Sequence, residues 1–210
     1  RCAGPARQHR HPRAGGQLER TVVGKYPRGG QFAVTEGAAE LAPVTPSLDE
    51  RDRATVAAQL GRSPRAIRAV AHRCPCGLPD VIESSPRLPD GSPFPTLYYL
   101  TCPRASAAIG RLEALGLMAE MTDRLSSDPR LADRYRTAHE SYLRHRERLG
   151  HVAEIAGTSA GGMPRRVKCL HALVAHSLAA GRGVNPLGDE ALDRLAPWWT
   201  SGPCVPAAAN

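Results

Sequence analysis

This sequence predicts an α+β domain, a small antiparallel sheet of about three strands packed with four to six helices, and three observations carry that reading. Short apolar runs of strand composition are confined to residues 67–101. Helical spacing of apolar residues dominates after residue 103. Strands followed by helices, with no fixed repeat period, is the α+β order. The 210 residues suffice for one ordinary domain with length to spare.

Residues 1–46 mix Gly, Pro, Arg and Gln with few large apolar groups, so they cannot offset the entropy of ordering. They are expected to form a disordered basic arm, with a short strand at Gln31–Val34 as the one candidate element. The folded domain is expected over 47–196, followed by a loose tail over 197–210. Ser47-Leu-Asp-Glu50 has the capping-box pattern and predicts a helix to about Leu60, stopped by Gly61. Ile67–Val70 and Val81–Glu83 flank the Pro- and Gly-punctuated His72–Pro79 segment, which predicts a hairpin with cysteines in its connection. Thr96–Thr101 is the third strand.

Ile109, Leu112, Leu115 and Met118 then follow helical spacing, with Gly116 as a possible break. Asp128-Pro129 reads as the cap and first turn of a helix to about Arg148, with Leu131, Tyr135, Ala138 and Tyr142 on its inner side. Residues 150–162 are a Gly-rich link. Pro164 is expected to open a helix to about Ala180 with Val167, Leu170, Val174 and Leu178 inward. Gly181–Gly188 reads as a loop and Asp189–Leu195 as a short helix.

No stretch approaches the roughly 20 apolar residues of a membrane span. The net charge is +8, yet residues 1–46 already hold seven Lys+Arg against three Asp+Glu. Of 28 basic residues all but Lys25 and Lys168 are Arg, which reads as coding bias rather than a phosphate-binding surface and argues against nucleic acid. The first 20 residues lack the apolar core of a secretory signal, so a cytoplasmic location with reduced or metal-bound cysteines is expected. The chain opens at Arg1 rather than Met, and the arm is read as an extended or misplaced start.

Four cysteines lie beside turn or terminus signals: Cys74 and Cys76 in the hairpin connection, Cys102 at a strand end, Cys169 near a helix start. Converged, such thiols suit zinc or an iron–sulfur centre. On a helix begun at Pro164, Cys169 and His171 stand about 200° apart and could not share an ion. The ligand set is therefore Cys74, Cys76, Cys102 and one of Cys169 or His171, unless the helix starts after His171. Two other readings stand beside it: packed thiols, and a reactive Cys169 whose thiolate is favoured by a helix start and by Lys168, Arg165 and Arg166. Arg166 and Lys168, after Gly161-Gly162, also suggest a seat for a small phosphate or carboxylate.

CPCGLPD (74–80), PFPTLYYLTCP (93–103), RVKCLHALVAH (166–176) and NPLGD (185–189) together resemble the bacterial domain-of-unknown-function family 501, over about residues 47–195. The resemblance implies a small cytoplasmic bacterial protein of actinobacterial type whose genes neighbour those of a septum-formation initiator and an exopolyphosphatase. Three functions follow as expectations. The first is a Cys/His protein of zinc or an iron–sulfur cluster. The second is an enzyme using Cys169, with Arg166 and Lys168 holding an anionic substrate. The third is a non-catalytic adaptor for cell-division or envelope partners acting through the arm.

Overall fold

The computed structural model describes residues 22–25, 31–34 and 48–206. Within the first unit, strands β1 (Val22–Lys25) and β2 (Gln31–Val34) pair antiparallel, Val22 opposite Val34. The strand expected at Gln31–Val34 is there, and its partner was not foreseen. The rest of the expected arm lies outside the described residues.

The second unit opens with α1 (Glu50–Leu60). Its cap is Asp49, whose carboxylate accepts from the Asp52 amide at 2.7 Å; Ser47, the expected cap, lies outside the described residues. The same i to i+3 geometry is simply met two residues later. Gly61 ends α1 at φ +65°, as its position predicts.

β3 (Ile67–Arg73), β4 (Pro79–Ser84) and β5 (Tyr98–Leu100) form an antiparallel sheet in that order, with Val70 opposite Ile82 and Val81 opposite Leu100. In the β3–β4 turn, Gly77 adopts φ +88° and its amide donates to the Cys74 carbonyl at 2.8 Å.

Helix α2 (Pro103–Ala114) ends where Gly116, at φ +85°, turns the chain into α3 (Leu117–Ser127). Asp128 caps α4 (Pro129–Glu147) through the Arg130 and Leu131 amides, and Leu131, Tyr135, Ala138 and Tyr142 are buried along it. A single 3-10 turn, Ala153–Ile155, interrupts the link that follows.

The largest departure comes next. Helix α5 spans Leu170–Ala180, not 164–180, and Cys169 is its N-cap in extended geometry. Tertiary bonds take the backbone of the preceding residues out of a helical ladder. The Lys168 amide donates to the Gly161 carbonyl at 2.7 Å, Val167 N–H to Thr122 Oγ1 at 3.0 Å, and Tyr135 Oη to the Arg166 carbonyl at 3.2 Å. The buried residues of α5 are accordingly Leu170, Leu173, Val174, Ala175, His176 and Ser177; Val167 is buried but precedes the helix, and Leu178 is half-buried.

Helix α6 (Pro186–Asp193) begins inside the expected loop, because Asn185 caps it by accepting from the Gly188 amide and Pro186 fills its first turn. Residues after Pro197, expected to be loose, are tied back: Arg104 Nη1 donates to the Gly202 carbonyl at 2.6 Å and Gln59 Nε2 to Cys204 Sγ at 3.3 Å.

Helix α5 is the centre of this unit, packing on β5, α2 and α6. Its approach to α6 is close enough that a Cβ on Gly188 would overlap the Leu173 carbonyl and the Ser177 hydroxyl. A backbone carbonyl cannot rotate aside as a side chain can. Gly188→Ala is expected to cost about 2–3 kcal/mol in urea unfolding. A loss below about 0.5 kcal/mol would show that the two helices separate freely.

Candidate functional site

The late start of α5 changes the chemistry available at Cys169. As an extended N-cap, Cys169 is released from the helical phase that would separate it from His171, and both come within reach of Glu113 on α2. One ligand atom from each of Glu113, Cys169 and His171 lies within 4.8 Å of the others, all three residues half-buried. The carboxylate is held by the first turn of α5: Glu113 Oε1 accepts from the Leu170 amide at 2.7 Å. A negative charge at a helix N-terminus is stabilised there.

His171 lies between two acceptors. Its Nδ1 is 3.2 Å from Glu113 Oε1 and its Nε2 is 3.1 Å from the Ser106 carbonyl. Neither oxygen can donate, so the ring that satisfies both carries two N–H groups and is an imidazolium. The pKa directions agree. The Cys169 sulfur, with Glu113 helping against burial, raises His171 to about 9. Burial alone pushes the Cys169 thiol up, but His171 and the Ala172 amide overcome it and leave the thiol below its ordinary value.

The other thiols are of a different kind. Burial pushes Cys74 up to about 12 and Cys102 up to about 11. Cys74 neighbours Cys76 in the hairpin turn, and Cys102, the N-cap of α2, neighbours Cys204. Among the described residues, none of these four joins a cluster of three or more potential ligands. The expected four-ligand set of Cys74, Cys76, Cys102 and Cys169 or His171 is thus not brought together. Two of its members meet each other instead, with Glu113.

Arg166 and Lys168 are exposed and precede α5 rather than heading it. The expected anion seat at that helix start is filled by the chain's own Glu113.

The cluster opens on a pocket of about 380 Å³ lined by Thr96, Tyr98 and Tyr99 of the β5 region, Ser106 of α2, Gly161 of the link, and Cys169 and His171. Behind it, Tyr98 is fixed by a 2.9 Å hydrogen bond to His145 Nδ1 and by stacking on the buried His176 at 5.9 Å. Glu113 and Ser106 carry no local sequence signal: both look like ordinary helix-surface residues until α5 packs on α2. The sequence allows Cys169 and His171 to share a site only if the helix starts after His171; α5 starts at Leu170, and the two meet because Cys169 alone stands outside the helix.

Fold and cluster together define an α+β domain with a half-buried thiol, imidazole and carboxylate grouped at a helix N-terminus. The family model described as "Protein of unknown function (DUF501)" matches residues 70–193, more than half of the chain, and the chain belongs to that family. The match spans the sheet hairpin, Glu113, Cys169 and His171. No curated protein and no solved structure matches the chain. Among the described residues no helix is long and apolar enough to cross a membrane.

Proposed function

We propose that the chain is a thiol-dependent enzyme with Cys169 as nucleophile. The observation that carries this reading is the His171 ring, held between the Glu113 carboxylate and the Ser106 carbonyl, beside a thiol at a helix N-terminus and at the mouth of a pocket. An imidazolium stabilises the thiolate, and the thiolate is the attacking species. In acyl transfer, the Cys169 sulfur forms the S–C bond. The substrate's leaving group departs with the His171 proton, and the neutral imidazole then activates a water to release the acyl group and recover the starting ion pair. Glu113 orients the ring throughout. Among the described residues no Arg or Lys lines the pocket, so His171 is the one cationic group a substrate meets there.

A second reading rests on the same three residues. One sulfur, one nitrogen and one oxygen donor converge, while the far imidazole nitrogen is fixed by the Ser106 carbonyl and the carboxylate by the Leu170 amide. Three protein ligands with supported orientations and an open position suit a catalytic zinc. A single thiol does not suit an iron–sulfur cluster.

One experiment separates them. Zinc is measured on protein purified without chelator, and metal-free protein is then treated with iodoacetamide near neutral pH and read by peptide mass. The thiol reading expects little zinc, Cys169 alkylated first among the cysteines, and a rate at least about tenfold lower in His171→Ala. Cys169 reacting no faster than Cys76 would remove the nucleophile. Zinc near one per chain that Glu113→Ala abolishes would replace it with the metal.

A further inference from the structure

Helix α2 serves two sides of the molecule. Ser106 and Glu113, seven residues apart, meet His171. Arg104 and Arg111, also seven apart, are displaced from that pair by two residues, about 200° around the helix axis. There they line a separate cavity of about 570 Å³ between α2 and the segment after α6. Among the described residues its charged lining is Arg104, Arg111 and Arg194, with no carboxylate, and its apolar wall includes Leu112, Leu115 and Trp198. Leu115 is 82% exposed, an unusual position for a leucine in a folded domain.

The three guanidinium groups differ in what they have left to offer. Arg194 is partly neutralised by Glu120 and Glu190, which its Nη2 meets at 2.9 and 2.8 Å. Arg104 is steadied by the Gly202 carbonyl, an uncharged partner. The Arg111 side chain is exposed, and its guanidinium makes no hydrogen bond or ion pair among the described residues. Two arginines whose backbone positions lie about 10 Å apart along one helix, with no carboxylate among the described lining residues, suit a ligand with more than one anionic oxygen. The planar fork of Arg fits phosphate oxygens in pairs. The indole and leucine wall suits a flat apolar ring attached to it.

We propose that this cavity is a binding site for a nucleoside diphosphate, its phosphates on Arg104 and Arg111 and its base against Trp198. This site is independent of the thiol, and it accounts for cationic and apolar groups that the Cys169 pocket leaves unused.

Trp198 and Trp199 are the only tryptophans of the chain, so their emission reports on this region, and Trp199→Phe leaves Trp198 as sole reporter. ADP is titrated into the full chain, with pyrophosphate and adenosine as separate arms. The site predicts a saturable change with a Kd below about 1 mM for ADP, and binding at least about tenfold weaker for either half alone. Arg111→Ala, at an exposed position, should weaken ADP about tenfold with an unchanged circular dichroism spectrum, and added salt should weaken it further. Cys169→Ser should leave it intact, so the two sites fail or stand separately. The proposal is overturned by the absence of a saturable change up to about 5 mM ADP. It is also overturned by adenosine or pyrophosphate binding as tightly as ADP, by an ADP affinity that Arg111→Ala leaves unchanged, or by one that Cys169→Ser abolishes.

Discussion

Arg146→Ala is expected to destabilise the domain by about 3–5 kcal/mol, a large share of the total stability of a small protein. Arg146 is 1% exposed, the largest fully buried side chain among the described residues. Among the described residues no carboxylate bonds to it. Its guanidinium donates instead to three carbonyls, from Nη2 to Ile155 at 2.7 Å, and from Nη1 to Pro95 at 3.3 Å and to Thr158. Those carbonyls belong to two segments outside the sheet and the α-helices, the approach to β5 and the link after α4, which the guanidinium ties together.

Truncation to Ala would leave a cavity and remove a donor from each carbonyl, and both costs fall in the same place. Lysine keeps the charge but not the fork, so Arg146→Lys should recover less than half of the loss. The affected link continues into Ala160 and Gly161, which line the Cys169 pocket. Amide exchange over 153–162 should therefore accelerate in Arg146→Ala before global unfolding sets in. A urea midpoint matching the wild type would mean that water replaces the guanidinium without cost, and the staple would be discarded.

Features with local causes were legible in the sequence. The Gly61 stop, the Gly116 break and the Asp128-Pro129 start each depend on a residue's own backbone preference or on a cap three residues long. Asn185-Pro186 carries the same cap-and-proline signature as Asp128-Pro129, masked in the sequence by the glycines around it, and α6 starts there. The start of α5 was not legible. Pro164 suits the first turn of a helix, but Thr122, Tyr135 and Gly161 bond to the following backbone from distant positions. That one displacement decides the site. Shifting the start from Pro164 to Leu170 turns Cys169 and His171 from opposite faces of a helix into neighbours, and it sets Glu113 at the new N-terminus. The thiols legible as ligands, Cys74, Cys76 and Cys102, instead occupy two separate pairs.

Acid should unfold the domain well before its carboxylates alone would, because His176 is buried in neutral form. The ring is fully buried and stacks on Tyr98, meets Tyr142 edge-on at 5.2 Å, and lies 6.5 Å from the ring of His145. Asn185 Nδ2 approaches its Nδ1 at 3.3 Å, which fixes that nitrogen as the acceptor. Burial, with a smaller contribution from His145, depresses its pKa to about 3. The unfolded chain takes up this proton near the ordinary histidine value of about 6.5, and the folded chain refuses it until far lower pH. Below about 6.5 the unfolded state therefore binds more protons, and stability falls with pH until the folded ring itself titrates near 3. The full effect is about 5 kcal/mol, spread over that window. His176→Gln removes the titrating group and keeps a polar side chain for Asn185. Its stability at pH 7 should be lower than wild type, since the aromatic stack is lost, but its decline between about pH 6.5 and 4 should be much shallower. Parallel acid limbs in the two proteins would show that the proton taken up on unfolding belongs to another group, such as the salt-bridged Glu190, whose pKa Arg124 holds down.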